Sequence, residues 1–319
     1  MIPKFVLAFA MLLASGAVQA QAYPNKPIKL VVTFPPGGGT DVVARTMAPK
    51  MSEILGQSIV VENRPGAGGN VGAEFVAKSP ADGYTMVLGA SFMSINQSLS
   101  PGLPWKIERD FDPIVLVVMN QSLLVVHPSV PATTVKEFIA LAKAKPSGIT
   151  IASSGNGSSA HLGAELFKML TGANLVHVPY KGAAPALNDV IGGHVNSMLV
   201  DIAVVTPHVK SGKVRVLGIG SPKRFDGMPD VPTVAESGVP GFEVSGIIAF
   251  MFPAGAPREA IQKINAATNQ ALQAPEVRDR LTTLATIPMG GSPERLAEAF
   301  RIDVEKWGKV IRAGNIKAD

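Results

Sequence analysis

Two stretches of the chain share one local grammar: an apolar run, a glycine-rich turn and the opening of a helix. They are IKLVVTFPPGGGTDVVAR, starting at Ile28, and ITIASSGNGSSAHLGAE, starting at Ile149. A strand that turns through glycines into a helix is the opening of a βαβ unit, which builds a parallel sheet covered by helices. Ligands of such sheets sit beyond the carboxyl ends of the strands. Two such units, one in each half of the chain, imply two α/β halves facing each other across a cleft.

The rest of the chain continues the alternation. YTMVLGA, IVLVVM and LLVVH read as further strands up to His127, and helical periodicity follows over 134–145, 160–171, 183–191 and 204–211. SPKRFDGMPDVPTVAESGVPGFEV is rich in proline and glycine and reads as irregular connection. SGIIAFMF then reads as a buried strand, with helical patterns over 258–272, 275–283 and 293–312. The expected fold class is α/β, with two doubly wound, largely parallel sheets and a ligand cleft between them. The expected division is an export signal over 1–22, a first domain of 23–125 plus 242–319, and a second of 126–241.

The signal rests on MIPKFVLAFAMLLASGAVQAQAYP, which has an early cation at Lys4, an apolar stretch from Phe5 to Leu13 and small residues before Ala20 and Ala22. That order is the pattern of a cleaved secretory peptide, with Ala20 or Ala22 as the cut. The apolar stretch is well short of the roughly 20 residues of a membrane-spanning helix. The chain has no cysteine, which removes disulfides, thiolate metal sites and a lipid-anchoring cysteine together. Periplasmic export is the consistent location. The formal charge of +5 is spread without long basic runs, so nucleic acid is not an expected partner.

A helix N-terminus presents backbone N–H groups without intrahelical partners, and the helix dipole adds about half a positive charge there. An anion can therefore bind with no lysine or arginine. In the first loop Gly37, Gly38 and Gly39 permit unusual dihedrals and close approach, while Thr40 and Asp41 suit helix capping. In the second, Gly155 and Gly157 do the same, with Ser158 and Ser159 as hydroxyl donors. Each loop read alone is equally a tight turn with a cap.

Nucleotide readings fail on particular residues. Gly155-Asn156-Gly157-Ser158-Ser159-Ala160 fits G-x-G-x-x-A, but the next strand, NLVHVPY, lacks the acid that would hold a ribose. The first loop has Glu62 in that role, yet Val42 takes the third glycine position, and no G-K-[ST] follows either loop. A hydrolase built on Ser154, Ser158 or Ser159 with His161 lacks the G-x-S-x-G elbow. His161 reads as a first-turn residue at the cleft rim. His177 and Tyr180, at the end of NLVHVPY, can face the cleft, and the five histidines form no metal-ligand spacing. No metal and no cofactor are expected.

Longer stretches carry a family resemblance. YPNKPIKLVVTFPPGGGTDVVAR, VVENRPGAGGNVGAEFVAKSPADGYTMVLG, SSGNGSSAHLGAELFKMLTGANLVHVPYKGAAPALNDVIGGHV and PDVPTVAESGVPGFEV resemble the periplasmic solute-binding receptors of tripartite tricarboxylate transporters, the Bug receptors. The resemblance covers essentially all of the chain after the signal. It implies a two-domain, type II-like periplasmic-binding-protein fold that closes on a small carboxylate and delivers it to a membrane permease, with the receptor a monomer and not an enzyme. It also implies two jaws: Phe34, Pro36, Gly38, Gly39, Thr40 and Asp41 in the first loop, and Ser154, Asn156, Gly157, Ser158 and Ser159 in the second. A solute sensor feeding a two-component system would use the same cleft.

Departures from the family pattern bear on the ligand. Ala90-Ser91-Phe92-Met93 stands where the family often has Thr-His-Ala, and Ile247-Ile248 falls in its usual aromatic region. Asp201, in MLVDIAVV, is displaced by one place from the family's aspartate. Ser91, Phe92 and Asp201 then line the ligand's distal end, where a more apolar wall suits an aromatic or partly apolar carboxylate and Phe92 can stack on a ring.

Overall fold

The computed structural model describes residues 23–317, and the expected export signal lies outside them. The chain begins with β1 (Ile28–Val32), α1 (Gly39–Leu55), β2 (Ile59–Asn63), a single 3-10 turn at Ala67–Gly69, α2 (Asn70–Ala77) and β3 (Thr85–Ala90). It continues through α3 (Phe92–Leu99), the short α4 (Ile107–Asp110) and the long β4 (Phe111–Val126). The second half of the fold follows: α5 (Val135–Ala144), β5 (Ile149–Ser153), α6 (Ser159–Thr171), β6 (Leu175–Pro179), α7 (Ala183–Ile191), β7 (Ser197–Asp201), α8 (Ile202–Lys210) and β8 (Arg215–Ile219). Then β9 (Ser245–Pro253), α9 (Arg258–Ala271), α10 (Pro275–Thr283), β10 (Thr286–Pro288) and α11 (Pro293–Ala313) complete the described chain.

The strands run in the order β2-β1-β3-β9-β4-β7-β5-β6, with β8 and β10 also paired to β4. IVLVVM and LLVVH, which read as separate strands, are one strand of 16 residues. From Phe111 to Gln121 it pairs with β9; from Ser122 to Val126 it pairs with β7. The polar Asn120-Gln121-Ser122 between the two apolar runs marks a change of sheet, not a turn, because its backbone keeps ladder partners on both sides of the change. The sheets are also mixed. The β1, β2 and β3 pairings and those of β5 with β6 and β7 are parallel, while β9 is antiparallel to β3 and β4, and β7 and β8 are antiparallel to β4.

Each sheet is buried on both faces, which is why its strands are nearly continuous in apolar residues. In the first half, Ile28, Leu30 and Phe250 pack on α1, α9 and α10, and Val31, Val87 and Met251 pack on the opposite side with Trp105 and Phe300. In the second half, Ile149 and Ile151 pack with Phe138 and Phe167, and Leu123 and Met198 with Leu187 and Val205. The last helix, α11, joins the halves: Leu296 and Phe300 belong to the first core, whereas Trp307, Val310 and Ile311 belong to the second. Among the described residues no helix is long and apolar enough to cross a membrane.

Local signals set the loop-to-helix joints. α1 buries Val43, Ala44, Met47, Ala48 and Met51, a stripe of helical period, and stops at Gly56 with φ 67°. α6 starts where Ser158 Oγ accepts the His161 N–H at 3.2 Å, and stops at Gly172 with φ 66°. Both glycine-rich loops are thus held at strand carboxyl ends by helices anchored in a core.

Candidate ligand-binding site

A cavity of about 690 Å³ opens between the halves, and its wall contains both jaw loops. From the first come Phe34 and Thr40; from the second, Ser154, Asn156, Gly157, Ser158 and Ser159. Ser91, Phe92 and Asp201 line it as well. The second loop owes its shape to glycine: Gly155 has φ 129° and Gly157 φ 71°, both in the region that side chains with a Cβ avoid. Gly157 also sits so close to the end of α3 that a Cβ there would lie 2.3 Å from Leu99 Cδ2.

Pro36, Gly38, Gly39, Asp41, His161 and Tyr180 do not line the cavity. Gly38 is the extended N-cap of α1 and Gly39 its first residue, so both shape the helix start that presents Thr40. Asp41 is 3% exposed and turned inward. Its carboxylate accepts the Gly37 N–H at 2.9 Å, the Arg45 Nε–H at 3.0 Å and the Asn63 amide at 2.8 Å. The acid of the first loop is thereby consumed as that loop's internal tie.

Burial pushes the Asp41 carboxyl up, but the hydrogen bonds from Arg45, Gly37 and Asn63 outweigh it and hold its pKa below the ordinary value. A depressed folded-state pKa contributes stability that is complete above the unfolded value of about 3.9 and is lost as pH falls through the lower folded value. Asp41→Asn should cost about 1–3 kcal/mol at pH 7, because Gly37 and Arg45 lose a charged acceptor in a buried place. The deficit against wild type should shrink as pH falls below 4 in urea titrations; an equal deficit at pH 7 and pH 3 would contradict this role.

His161 supports the second loop from behind. Its Nδ1 accepts the Gly157 N–H at 3.1 Å, and its ring stacks on His177 with centroids 3.8 Å apart. His177 Nε2 lies 2.6 Å from Ser153 Oγ. Burial first, then repulsion by His161 and Lys168, pushes the His177 imidazole down to about 4, so it is neutral near pH 7. The serine that His177 meets, Ser153, is fully buried and does not line the cavity. Tyr180 donates its hydroxyl to Asp189 at 2.5 Å and is pushed up to about 12 by burial and that carboxylate, which ties it away from the cavity.

Several lining residues have no counterpart in the sequence reading. Ala67, Gly68 and Asn70 form a third glycine-rich helix start, that of α2, and Asn70 Oδ1 accepts the Asn96 amide at 3.0 Å across the cavity wall. The signal was present in RPGAGGN, which follows β2 as PPGGGTD follows β1. Asn120 and Ser122 line the cavity from β4, and Gly246 from β9. Phe34 meets Phe92 edge-on at 5.4 Å, and Phe92 meets the buried Trp105 at 6.5 Å. Gly69 leaves room for this ring, since a Cβ there would be 2.8 Å from Phe92. The wall therefore combines three helix starts, hydroxyls and amides with one aromatic side.

Residues 43–316 match the family described as the tripartite tricarboxylate transporter family receptor. The chain belongs to this family. These receptors are periplasmic binding proteins, not enzymes, and the two-domain α/β fold is theirs. Protein BugT of Bordetella pertussis is 38% identical over 305 residues, 95% of this chain and 94% of BugT. Two solved structures align over nearly their whole length. R. palustris Rpa4515 with adipate is 34% identical with a TM-score of 0.80, covering 92% of this chain and 99% of that one. MatC from Rhodopseudomonas palustris with bound malate is 32% identical with a TM-score of 0.76, covering 91% and 100%.

Proposed function

We propose that this receptor captures a small aromatic or partly apolar carboxylate between its halves and hands it, as a monomer, to the permease of a tripartite transporter. Residues 1–20 or 1–22 direct export and are then cleaved off, and the halves are 23–125 plus 242–319 and 126–241. The supporting observation is the pair of helix starts, α1 and α6, set against one cavity whose wall, among the described residues, holds no lysine or arginine. Backbone N–H groups and dipoles of helix starts attract a carboxylate without a cationic side chain. Thr40, Ser154, Asn156, Ser158 and Ser159 supply further donors, and Phe34 and Phe92 supply the apolar side. Contacts to both halves favour the closed form by differential affinity.

The apolar preference is read from Phe92, Ile247 and Ile248, which add an apolar surface to the cavity wall. Titration calorimetry should show benzoate-, nicotinate- or phthalate-type acids binding at least tenfold more tightly than citrate, a difference of about 1.4 kcal/mol. Tight citrate binding with none for the aromatic acids would refute the preference.

A further inference from the structure

Among the described residues that line the cavity, Asp201 alone carries an ionisable side chain, and it is an acid. It ends β7 directly opposite Ser122 of β4, on the cavity floor where β4 passes from one sheet to the other. An aspartate in this place is ordinarily spent on capping, since Asp201 is also the N-cap of α8; here its side chain makes no capping hydrogen bond. Its hydrogen-bond partner is Ser122 Oγ, at a long 3.5 Å. The side chain is exposed to the open cavity, and the protein mass around it pushes its carboxyl above the ordinary value, with Ser122 opposing.

An anionic ligand brought into this space meets a like charge with no cation in the wall to offset it. A second carboxylate at the floor would make the repulsion worse, because like charges at close range in a poorly solvated cleft are strongly unfavourable. A positively charged nitrogen at that end reverses the sign and supplies the partner that Asp201 lacks. The geometry points to a zwitterionic ligand: its carboxylate lies at the glycine-rich helix starts and a protonated amine at its other end pairs with Asp201 on the cavity floor. This assignment rests on the carboxylate-receptor reading above and narrows it. Asp201 is then a specificity-determining residue that rejects dicarboxylates whose second carboxylate reaches it, as well as selecting amino acids of the right length.

Two series of isosteres test it by titration calorimetry at pH 7 on the mature receptor stripped of bound ligand. The first is 6-aminohexanoate, heptanoate and adipate; the second is 4-(aminomethyl)benzoate, 4-ethylbenzoate and 4-carboxymethylbenzoate. In at least one series the amine should bind tenfold or more tightly than its neutral isostere, and the dianion should bind most weakly. In Asp201→Asn, the ratio between amine and neutral isostere should collapse to within threefold. Equal or tighter binding of the neutral acid or the dianion in both series overturns the inference while leaving the carboxylate receptor standing. So does an amine preference that survives in folded Asp201→Asn. If no acid of either series binds while a carboxylate of the aromatic panel does, the amine assignment again fails alone. If no carboxylate in any panel binds, the receptor reading falls with it.

Discussion

Gly157→Val should reduce ligand affinity by about a hundredfold, or about 2.8 kcal/mol, while leaving a folded protein. Two independent features converge on this position. Its φ of 71° would cost a residue with a Cβ about 1–2 kcal/mol, and more for a branched side chain. The Cβ would also fall 2.3 Å from Leu99 Cδ2, at the end of α3 in the cavity wall. Leu99 can swing aside, since the contacted atom is the end of a flexible side chain, but the dihedral cannot be relieved without moving the loop. Moving it breaks the Gly157 N–H contact to His161 and shifts the Ser158 cap, displacing the donors that face the cavity. Calorimetry with the tightest-binding acid, alongside a circular dichroism melt, checks the expectation. Wild-type affinity in a folded variant would remove this loop from the binding site.

Trp307→Ala should be the most destabilising of the substitutions considered, by about 3–5 kcal/mol. Trp307 is 1% exposed and packs with Val310 and Ile311 in the core of the second half. Its helix begins in the other core, with Leu296 and Phe300. Truncation therefore leaves a void at the place where α11 crosses from one half to the other, and few neighbours can collapse into it because the helix is held at both ends. Urea unfolding followed by circular dichroism should show a lower midpoint, and the transition should broaden or split as the halves lose their common helix. A loss below 1 kcal/mol would mean that α11 contributes little to the second core.

The two strand–loop–helix units and the cleft between them were legible because glycine, helix period and apolar runs act locally. What escaped was set by pairing across the sheet. Asn120 and Ser122 look in the sequence like polar positions on any half-exposed strand, and nothing local shows that β4 changes sheets beneath them. Asp41 and Tyr180 escaped for a different reason. Aspartate and tyrosine at loop ends are equally suited to ligands and to internal ties, and the partners that decide, Asn63 and Asp189, come from other elements. RPGAGGN was readable by the rule already applied to PPGGGTD, so the third helix start was a signal passed over, not a signal absent.

The shared strand has a mechanical consequence. If the halves rotate about β4 where it leaves one sheet for the other, displacement grows with distance from that line. Asn120, Ser122 and Asp201, on or beside β4 at that crossing, would then keep nearly the same spacing, whereas groups farther from it would travel further. A solute is then inspected in two stages: the stationary floor tests it while the mouth is still wide, and the travelling rim commits only afterwards. Changes at the floor should alter which solutes are admitted, and changes at the rim how long an admitted one stays.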